Sequence, residues 1–443
     1  MALGANYRKL FAATTISNLG DGVSLIAYPW LASAVTRNPL LIALVAAAGR
    51  LPWLVFTLPA GIITDRHDRR RLMIGANAAR ALLTGLVAVA VLVGADRLPG
   101  PDEVDTVTDT RLGLYLVVLV ATLLLGMAEV LYDNSAQTFM PAIVDAEDLE
   151  RANGRMYSAE IVSNQFAGPP LASVLLAIGF AVPFFLDAAS FAVSAALVFL
   201  IAGSAMSRAG DEPTLEVGRA TWRQDLGEGF RWLWHHDLFR PMAIILGLMN
   251  GLGTLMFASF VLFAQEVLDT STTEFAIMVT GGAVGGIAGG WAASAVSRRL
   301  GPGPTLWATL GAGVVTSLAI GLSTHWAMVW VLSAIEMFAA IMWNVITVSL
   351  RQAVIPTRLL GRVNSVYRFF AWGMIPIGAI VGGVVVTVAD GMLSREWALR
   401  TPWFVGGAGY LLLLVAAVPR LTTAKLQAAR AEATAGAAAA PAR

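Results

Sequence analysis

Twelve apolar runs, each of about 20 residues or more, dominate this 443-residue chain. In hydrocarbon every backbone N–H and C=O needs a partner within the chain, so runs of this length read as membrane-spanning helices. They fall near 8–36, 40–64, 72–94, 112–138, 155–179, 181–203, 238–265, 272–296, 304–322, 326–350, 365–389 and 402–419, with short polar links between them. The longest link is near 204–237. Only 13% of residues are charged, against ~25% in ordinary soluble chains, so too little charge is available to clothe a water-soluble surface. The fold class is therefore an all-α integral membrane protein.

Arginine and lysine orient it. With the N-terminus in the cytoplasm, inside segments hold Arg8, Lys9, the cluster Arg66, Arg69, Arg70 and Arg71, then Arg151, Arg155, Arg208, Arg298, Arg299, Arg351, Arg362 and the tail. Outside segments hold only Arg37, Arg97, Arg111, Arg395 and Arg400. The positive-inside bias predicts that both termini are cytoplasmic. Arg8 and Lys9 precede an apolar segment too long for a signal-peptide core, so the first run is expected to remain as a span.

The chain repeats itself. Gly61 is followed by Asp65 four positions on and by Arg69-Arg70 at eight and nine; Gly290 is followed by Ser294 and Arg298-Arg299 at the same offsets. Ala142-Ile143-Val144 … Leu149-Glu150-Arg151-Ala152-Asn153 aligns without gaps to Ala353-Val354-Ile355 … Leu360-Gly361-Arg362-Val363-Asn364. Six spans per half in one orientation predict two pseudo-symmetric six-helix bundles, 1–203 and 238–419. A cytoplasmic linker, 204–237, would join them. Within it Trp222, Leu226, Phe230, Leu233 and Trp234 share one face of an interfacial amphipathic helix. The Ala-rich tail 420–443 is expected to fray.

Gly61-x-x-x-Asp65-Arg66-x-x-Arg69-Arg70 between spans two and three, with twelve spans and a 6+6 repeat, resembles the major facilitator superfamily to about residue 420. Asn18-Leu19-Gly20-Asp21-Gly22, Arg50-Leu51-Pro52 and Phe184-Phe185-Leu186-Asp187-Ala188-Ala189-Ser190-Phe191 resemble its bacterial drug and siderophore exporter branch, which holds macrolide, tetracycline-type and enterobactin exporters. The sequence departs from the family in four places. Asp68 stands where the motif loop has Gly, as a residue that tolerates a left-handed turn. Ser294 replaces the acid of the second motif copy. Gly168-Pro169-Pro170-Leu171-Ala172-Ser173 weakens the drug-antiporter signature of span five, and no arginine occurs within 118–126 of span four.

Intramembrane charge is costly, about 2.5–3.5 kcal/mol at a helix centre on insertion scales, so it marks candidate sites. Asp21 and Arg50 lie near the middle of adjacent antiparallel spans and are expected to pair, either as a proton site tuned by Arg50 or as a permanent structural ion pair. Glu129 and Glu336 are further proton or cation candidates. Asp187 reads as a hydrogen-bonded structural acid, and Arg80 as a side chain that snorkels to the cytoplasmic surface. The resemblance implies a conformational latch of Gly61, Asp65, Arg66, Arg69 and Arg70, with Asp133 reaching Arg69 or Arg70. Gly168 and Pro169, and Gly282, Gly286 and Gly290 within the glycine ridges of span eight, are expected at sliding helix interfaces. Tyr28, Trp53, Tyr132, Phe257, Trp343 and Trp372 are candidate walls of a substrate cavity, each also explicable as a packing or interface ring.

No cofactor or metal is expected. The chain has no cysteine, its four histidines show no ligand spacing, and no Walker-type phosphate loop occurs. A net charge of +1 without basic tracts gives no sign of nucleic acid. No nucleophile–base constellation points to an enzyme. The resemblance implies a monomeric secondary active exporter in the bacterial cytoplasmic membrane. It would export hydrophobic or amphipathic drugs and natural products by alternating access in exchange for protons. The alternative is a dedicated exporter of one endogenous metabolite, such as a siderophore or a self-made antibiotic.

Overall fold

The computed structural model describes residues 3–101, 103–201 and 222–439, with the side chains of residues 58, 65, 97, 105, 146, 222–226, 357–358 and 434–439 left out. Seventeen α-helices follow one another among these residues: α1 Gly4–Val35, α2 Pro39–Val55, α3 Thr57–Arg66, α4 Arg69–Val93, α5 Leu112–Ile143, α6 Leu149–Glu160, α7 Gly168–Ile178, α8 Val182–Phe199, α9 Trp222–His235, α10 Phe239–Phe257, α11 Phe260–Glu266, α12 Thr272–Leu300, α13 Pro302–Gly321, α14 Trp326–Val354, α15 Thr357–Asp390, α16 Arg395–Ala417 and α17 Thr423–Ala439. Eleven helical stretches are long and apolar enough to cross a membrane, and the shorter apolar α2, continued by α3, accounts for the remaining run. The core is not where most large apolar side chains end. Trp291 is 86% exposed, Val93 81% and Leu412 71%. Such a surface suits lipid, which is as apolar as these side chains.

Three spans are broken. Pro59 lacks an N–H and crowds the carbonyl of Val55 one turn before it, and the helix is interrupted at Phe56, between α2 and α3. Span seven pauses at Ala258–Ser259, between α10 and α11. Span five passes from α6 into α7 through a π-helical turn, Ile161–Ala167. That wider turn turns Asn164 and Gln165 toward the inside of the bundle.

Asp68 overturns its expected role. Its backbone is extended, with φ −61° and ψ 112°, and its carboxylate accepts the Arg71 N–H at 3.1 Å as the N-cap of α4. An aspartate in place of glycine is thus explained by capping rather than by a left-handed turn. Asp68→Ala is expected to cost about 1 kcal/mol of stability, and Asp68→Asn much less, in thermal unfolding of the detergent-purified protein. Equal melting of all three proteins would dismiss the cap.

The chain divides into two compact units: Met1–Thr214 with Ser259–Thr280, and Leu215–Ala258 with Gly281–Arg443. In the first, α1 packs on α8, α7 and α5, α4 lies between α8 and α5, and α2 rests on α5. Ser259–Thr280 joins this unit through the end of α1. Arg37 bonds Gln265 Oε1 at 2.6 Å and pairs with Glu266, Gln265 donates to Ser33 Oγ at 2.9 Å, and the Phe275 ring packs tilted against Trp30, centroids 5.2 Å apart.

In the second unit α10 packs on α15, and α13 on α14 and α16. Of the tail, the described residues form α17, which packs on α13 and α14; Leu421 and Leu426 are buried, and the Thr423 hydroxyl accepts the Gly303 N–H at 3.2 Å. Of the linker, α9 docks on α15 through buried Leu233, the Glu228–Arg362 ion pair and Gly229, whose missing Cβ would lie 2.7 Å from the Arg362 carbonyl. Phe230 and Trp234 stay exposed on it, and the side chains of Trp222 and Leu226 lie outside the described residues.

The tight glycine ridge of α12 is the one through Gly281, Gly285 and Gly289. A Cβ on Gly281 or Gly285 would strike the carbonyls of Trp330 or Ala334 on α14, and one on Gly289 would lie 2.7 Å from that of Phe338. Gly282 and Gly286 meet only side chains, at 3.9 and 3.4 Å, and Gly290 meets nothing within 4 Å. Both ridges have the small-xxx-small spacing; which one packs depends on the side α14 takes.

Candidate substrate cavity

A cavity of about 1010 Å³ opens inside the first unit, walled by α1, α2, α4, α5, α6, the π turn and α8. On α1 the polar residues facing it, Thr14, Ser17, Asn18, Asp21, Ser24 and Tyr28, recur at helical spacing and form one polar stripe, joined by Leu25. On α5 the facing stripe is Glu129, Tyr132, Asp133, Ala136, Gln137 and Met140. Five carboxylates line the space, Asp21, Glu129, Asp133, Glu160 and Asp187, against two guanidiniums, Arg50 and Arg80.

Asp21 is the centre of this arrangement. Its carboxylate takes an ion pair from Arg80 Nη2 of α4 at 2.5 Å, not from Arg50. Arg80 is only 4% exposed, its guanidinium 3.9 Å from the Phe191 ring centroid, so it does not snorkel to the surface. Cation–π contact and the carboxylate together hold a charge that would otherwise be prohibitive at this depth. Arg50 lines the same cavity and forms no ion pair among the described residues.

Flanking glycines bring neighbouring helices onto Asp21. A Cβ on Gly20 would strike the Asp187 carboxylate and the Ser190 hydroxyl, and one on Gly22 would fall 2.5 Å from the Asn164 carbonyl of the π turn. Gly168 in turn lies directly on the Gly22 backbone, so Gly168 and buried Pro169 serve a close contact between α7 and α1. Asp187 is 1% exposed and accepts the Ser24 hydroxyl at 2.6 Å, in keeping with a hydrogen-bonded acid that also touches the cavity.

Tyr28 and Tyr132 stand in the cavity wall, the first edge-on to Phe184 at 5.0 Å and the second 3.2 Å from the Thr14 hydroxyl. The other rings expected in its wall do not line it, while Tyr157 and Phe191 do. Trp53 is half-buried on α2. Trp343 is fully buried as packing in the second unit, Phe257 lies edge-to-face with Trp403 at 5.3 Å, and Trp372 lies under Arg368. Glu336, also in the second unit, has a buried Oε2 without a hydrogen-bond partner among the described residues. Arg80, Glu160, Asn164 and Gln165 were not singled out by sequence for this cavity. Glu160 had a usable signal, as a carboxylate within an apolar run.

The motif arginines close helix ends. Arg69 Nη1 donates to the Thr138 carbonyl near the end of α5 at 2.9 Å, and Arg70 donates to the Val198 and Phe199 carbonyls at the end of α8. Cations belong at these carbonyl-rich termini. Asp133 makes no ion pair with either arginine here, because it shares the cavity-facing stripe of α5 while Arg69 reaches the helix one turn further on. Gly61 meets nothing within 4 Å, Arg66 is exposed, and the Asp65 side chain lies outside the described residues.

The family model of the Major Facilitator Superfamily matches residues 10–379. The chain belongs to the major facilitator superfamily. This makes it a transporter rather than an enzyme, and a multi-pass protein of the cytoplasmic membrane. It is 28% identical over 411 residues to the multidrug efflux pump Tap of Mycolicibacterium fortuitum, covering 90% of this chain and 93% of that protein. It is 26% identical to Tap of Mycobacterium tuberculosis strain H37Rv, covering 90% and 91%. Among solved superfamily-like folds, a mutant of the nucleoside transporter NupG superposes with TM-score 0.73 at 11% identity, covering 94% and 100%. A bacterial homologue of the iron transporter ferroportin, in an inward-facing state, gives 0.71 at 18%, covering 95% and 100%. At these identities the structures speak for the fold alone.

Proposed function

We propose that this chain exports amphipathic, cationic small molecules in exchange for protons, by alternating access of its two six-span halves, with both termini in the cytoplasm. The acid-rich cavity around the Asp21–Arg80 pair carries the reading. Five carboxylates facing two guanidiniums repel one another unless cations relieve them, and protons and a cationic substrate are interchangeable in that role. Tyr28 and Tyr132 add the ring faces that a flat organic cation prefers. Asp21 would bear the exchanged proton, Arg80 would hold the site when the proton leaves, and Arg50, Glu129 and Asp133 would shape the field around it. The likeness to Tap supports drugs as the substrate class.

Everted membrane vesicles test this. An imposed pH gradient, acid inside, is expected to drive accumulation of the lipophilic cation ethidium, and a protonophore to abolish it. A neutral or anionic dye of similar size should accumulate far less. Accumulation that ignores the protonophore, or that favours the anion, would overturn the proposal.

A further inference from the structure

Span five has two working faces. Asn153, Met156, Tyr157, Glu160 and Asn164 look into the central cavity. On the other side Arg151, Gly154, Arg155, Ser158 and Val162, again at helical spacing, meet Phe11 and Thr15 of α1 around a separate open groove of about 780 Å³. The proposed function uses none of this second face.

The groove is graded from charge to hydrocarbon. Arg151 and Arg155 sit one turn apart at its upper end, where α6 begins. Arg151 is 45% exposed and pairs with Asp148 at 3.7 Å, while exposed Arg155 forms no ion pair among the described residues. Arg8 lies on the same face of α1 as Phe11 and Thr15, and is exposed. The Tyr7 hydroxyl donates to the Ala152 carbonyl at 3.1 Å, which sets the start of α1 level with the start of α6. Asp148 and Glu150 stand at this end too, but neither lines the groove. Below the arginines the wall holds Phe11, Ala159 and Val162, the last 58% exposed, together with buried Ser163 and with Thr15 and Ser158, whose hydroxyls turn back onto the Phe11 and Gly154 carbonyls of their own helices at 2.7 and 2.9 Å. Gly154 leaves the middle open, for nothing lies within 4 Å of where its Cβ would be.

We propose that this groove binds an anionic phospholipid. A phosphodiester matches two guanidiniums, which grip phosphate through paired N–H donors, and an acyl chain matches the apolar wall below. The charges repel the cations expected in the central cavity, so the groove is no second drug site. A free phosphate would satisfy only its upper half. Occupancy would brace the outer side of the helix whose inner side carries Glu160 and Asn164.

Purified full-length protein would be titrated with phosphatidylglycerol, with phosphatidylcholine of the same acyl chains, and with inorganic phosphate, following lipid retention by native mass spectrometry and the melting temperature. Saturable retention and stabilisation by phosphatidylglycerol alone are expected. Arg151→Gln with Arg155→Gln should weaken that binding about tenfold or more, the scale of one lost charge-assisted hydrogen bond. Gly154→Phe, which fills the groove and keeps both arginines, should weaken it as well and guards against misfolding of the double variant. Equal retention of phosphatidylcholine, equal stabilisation by inorganic phosphate, or undiminished phosphatidylglycerol binding by Gly154→Phe would each overturn the proposal.

Discussion

Replacing Asp21 and Arg80 together, as Asp21→Asn with Arg80→Gln, is expected to give folded, inserted protein that exchanges substrate across the membrane but no longer accumulates it against a gradient. The double change is the informative one because of how the pair is buried. Arg80 is 4% exposed against Phe191, with Asp21 as its only ion-pair partner among the described residues. Asp21→Asn alone strands that charge, and breaking one side of a buried pair costs about 3–5 kcal/mol. Loss of transport in the single variant would therefore not separate a proton carrier from a structural strut. Removing both charges at once is often close to neutral for stability. If Asp21 carries the proton, pH-driven uptake by the double variant falls at least about tenfold, a change of some 1.4 kcal/mol or more. Substrate counterflow, which needs alternating access but no proton, persists. Recovery of pH-driven uptake in the double variant would make the pair structural and move the proton to Glu129 or Asp133.

The same pair shows where sequence reading reached and where it stopped. Asp21 was legible because a carboxylate at mid-span is too costly to be idle. Its partner was not, because two arginines lay at plausible depths and the sequence does not rank neighbours. Arg80 lies eleven residues beyond Arg69, about 16 Å along the helix, further than a side chain can snorkel. That distance was available in the sequence; the Phe191 ring that receives the guanidinium was not. The apolar runs were legible because hydrocarbon enforces length and backbone satisfaction. The break at Phe56 had its sign in Pro59. The π turn had its sign just beyond it, in Pro169 and Pro170, which withhold the N–H donors that the Gln165 and Phe166 carbonyls would take in an α-helix; the placing of Asn164 and Gln165 was not legible from their own residue types. The resemblance supplied the idea of a latch, but not the carbonyls at the ends of α5 and α8 that Arg69 and Arg70 take up.

Gly285→Ala is expected to destabilise the protein strongly and Gly290→Ala not at all, although both glycines lie on α12 and share its small-residue pattern. At Gly285 the added Cβ runs into the backbone of Ala334, which cannot move without shifting α14 as a whole. Overpacking of this kind costs about 1–3 kcal/mol. At Gly290 the Cβ meets nothing within 4 Å, so the substitution only removes the helix penalty of glycine, about 1 kcal/mol. The two variants should therefore differ by roughly 2 kcal/mol or more in reversible unfolding of the detergent-solubilised protein. Gly286→Ala should resemble Gly290→Ala, because its nearest neighbour is the flexible Met337 side chain at 3.4 Å. Equal losses at Gly285 and Gly290 would mean that both ridges of α12 are packed, and a loss at Gly290 alone that it packs by the opposite ridge. If Gly282, Gly286 and Gly290 serve a contact that slides during transport, their alanine variants should keep the wild-type melting temperature and lose turnover. That split separates a moving surface from a packed one, and the ridge on α14 should show the reverse pattern, with stability lost first.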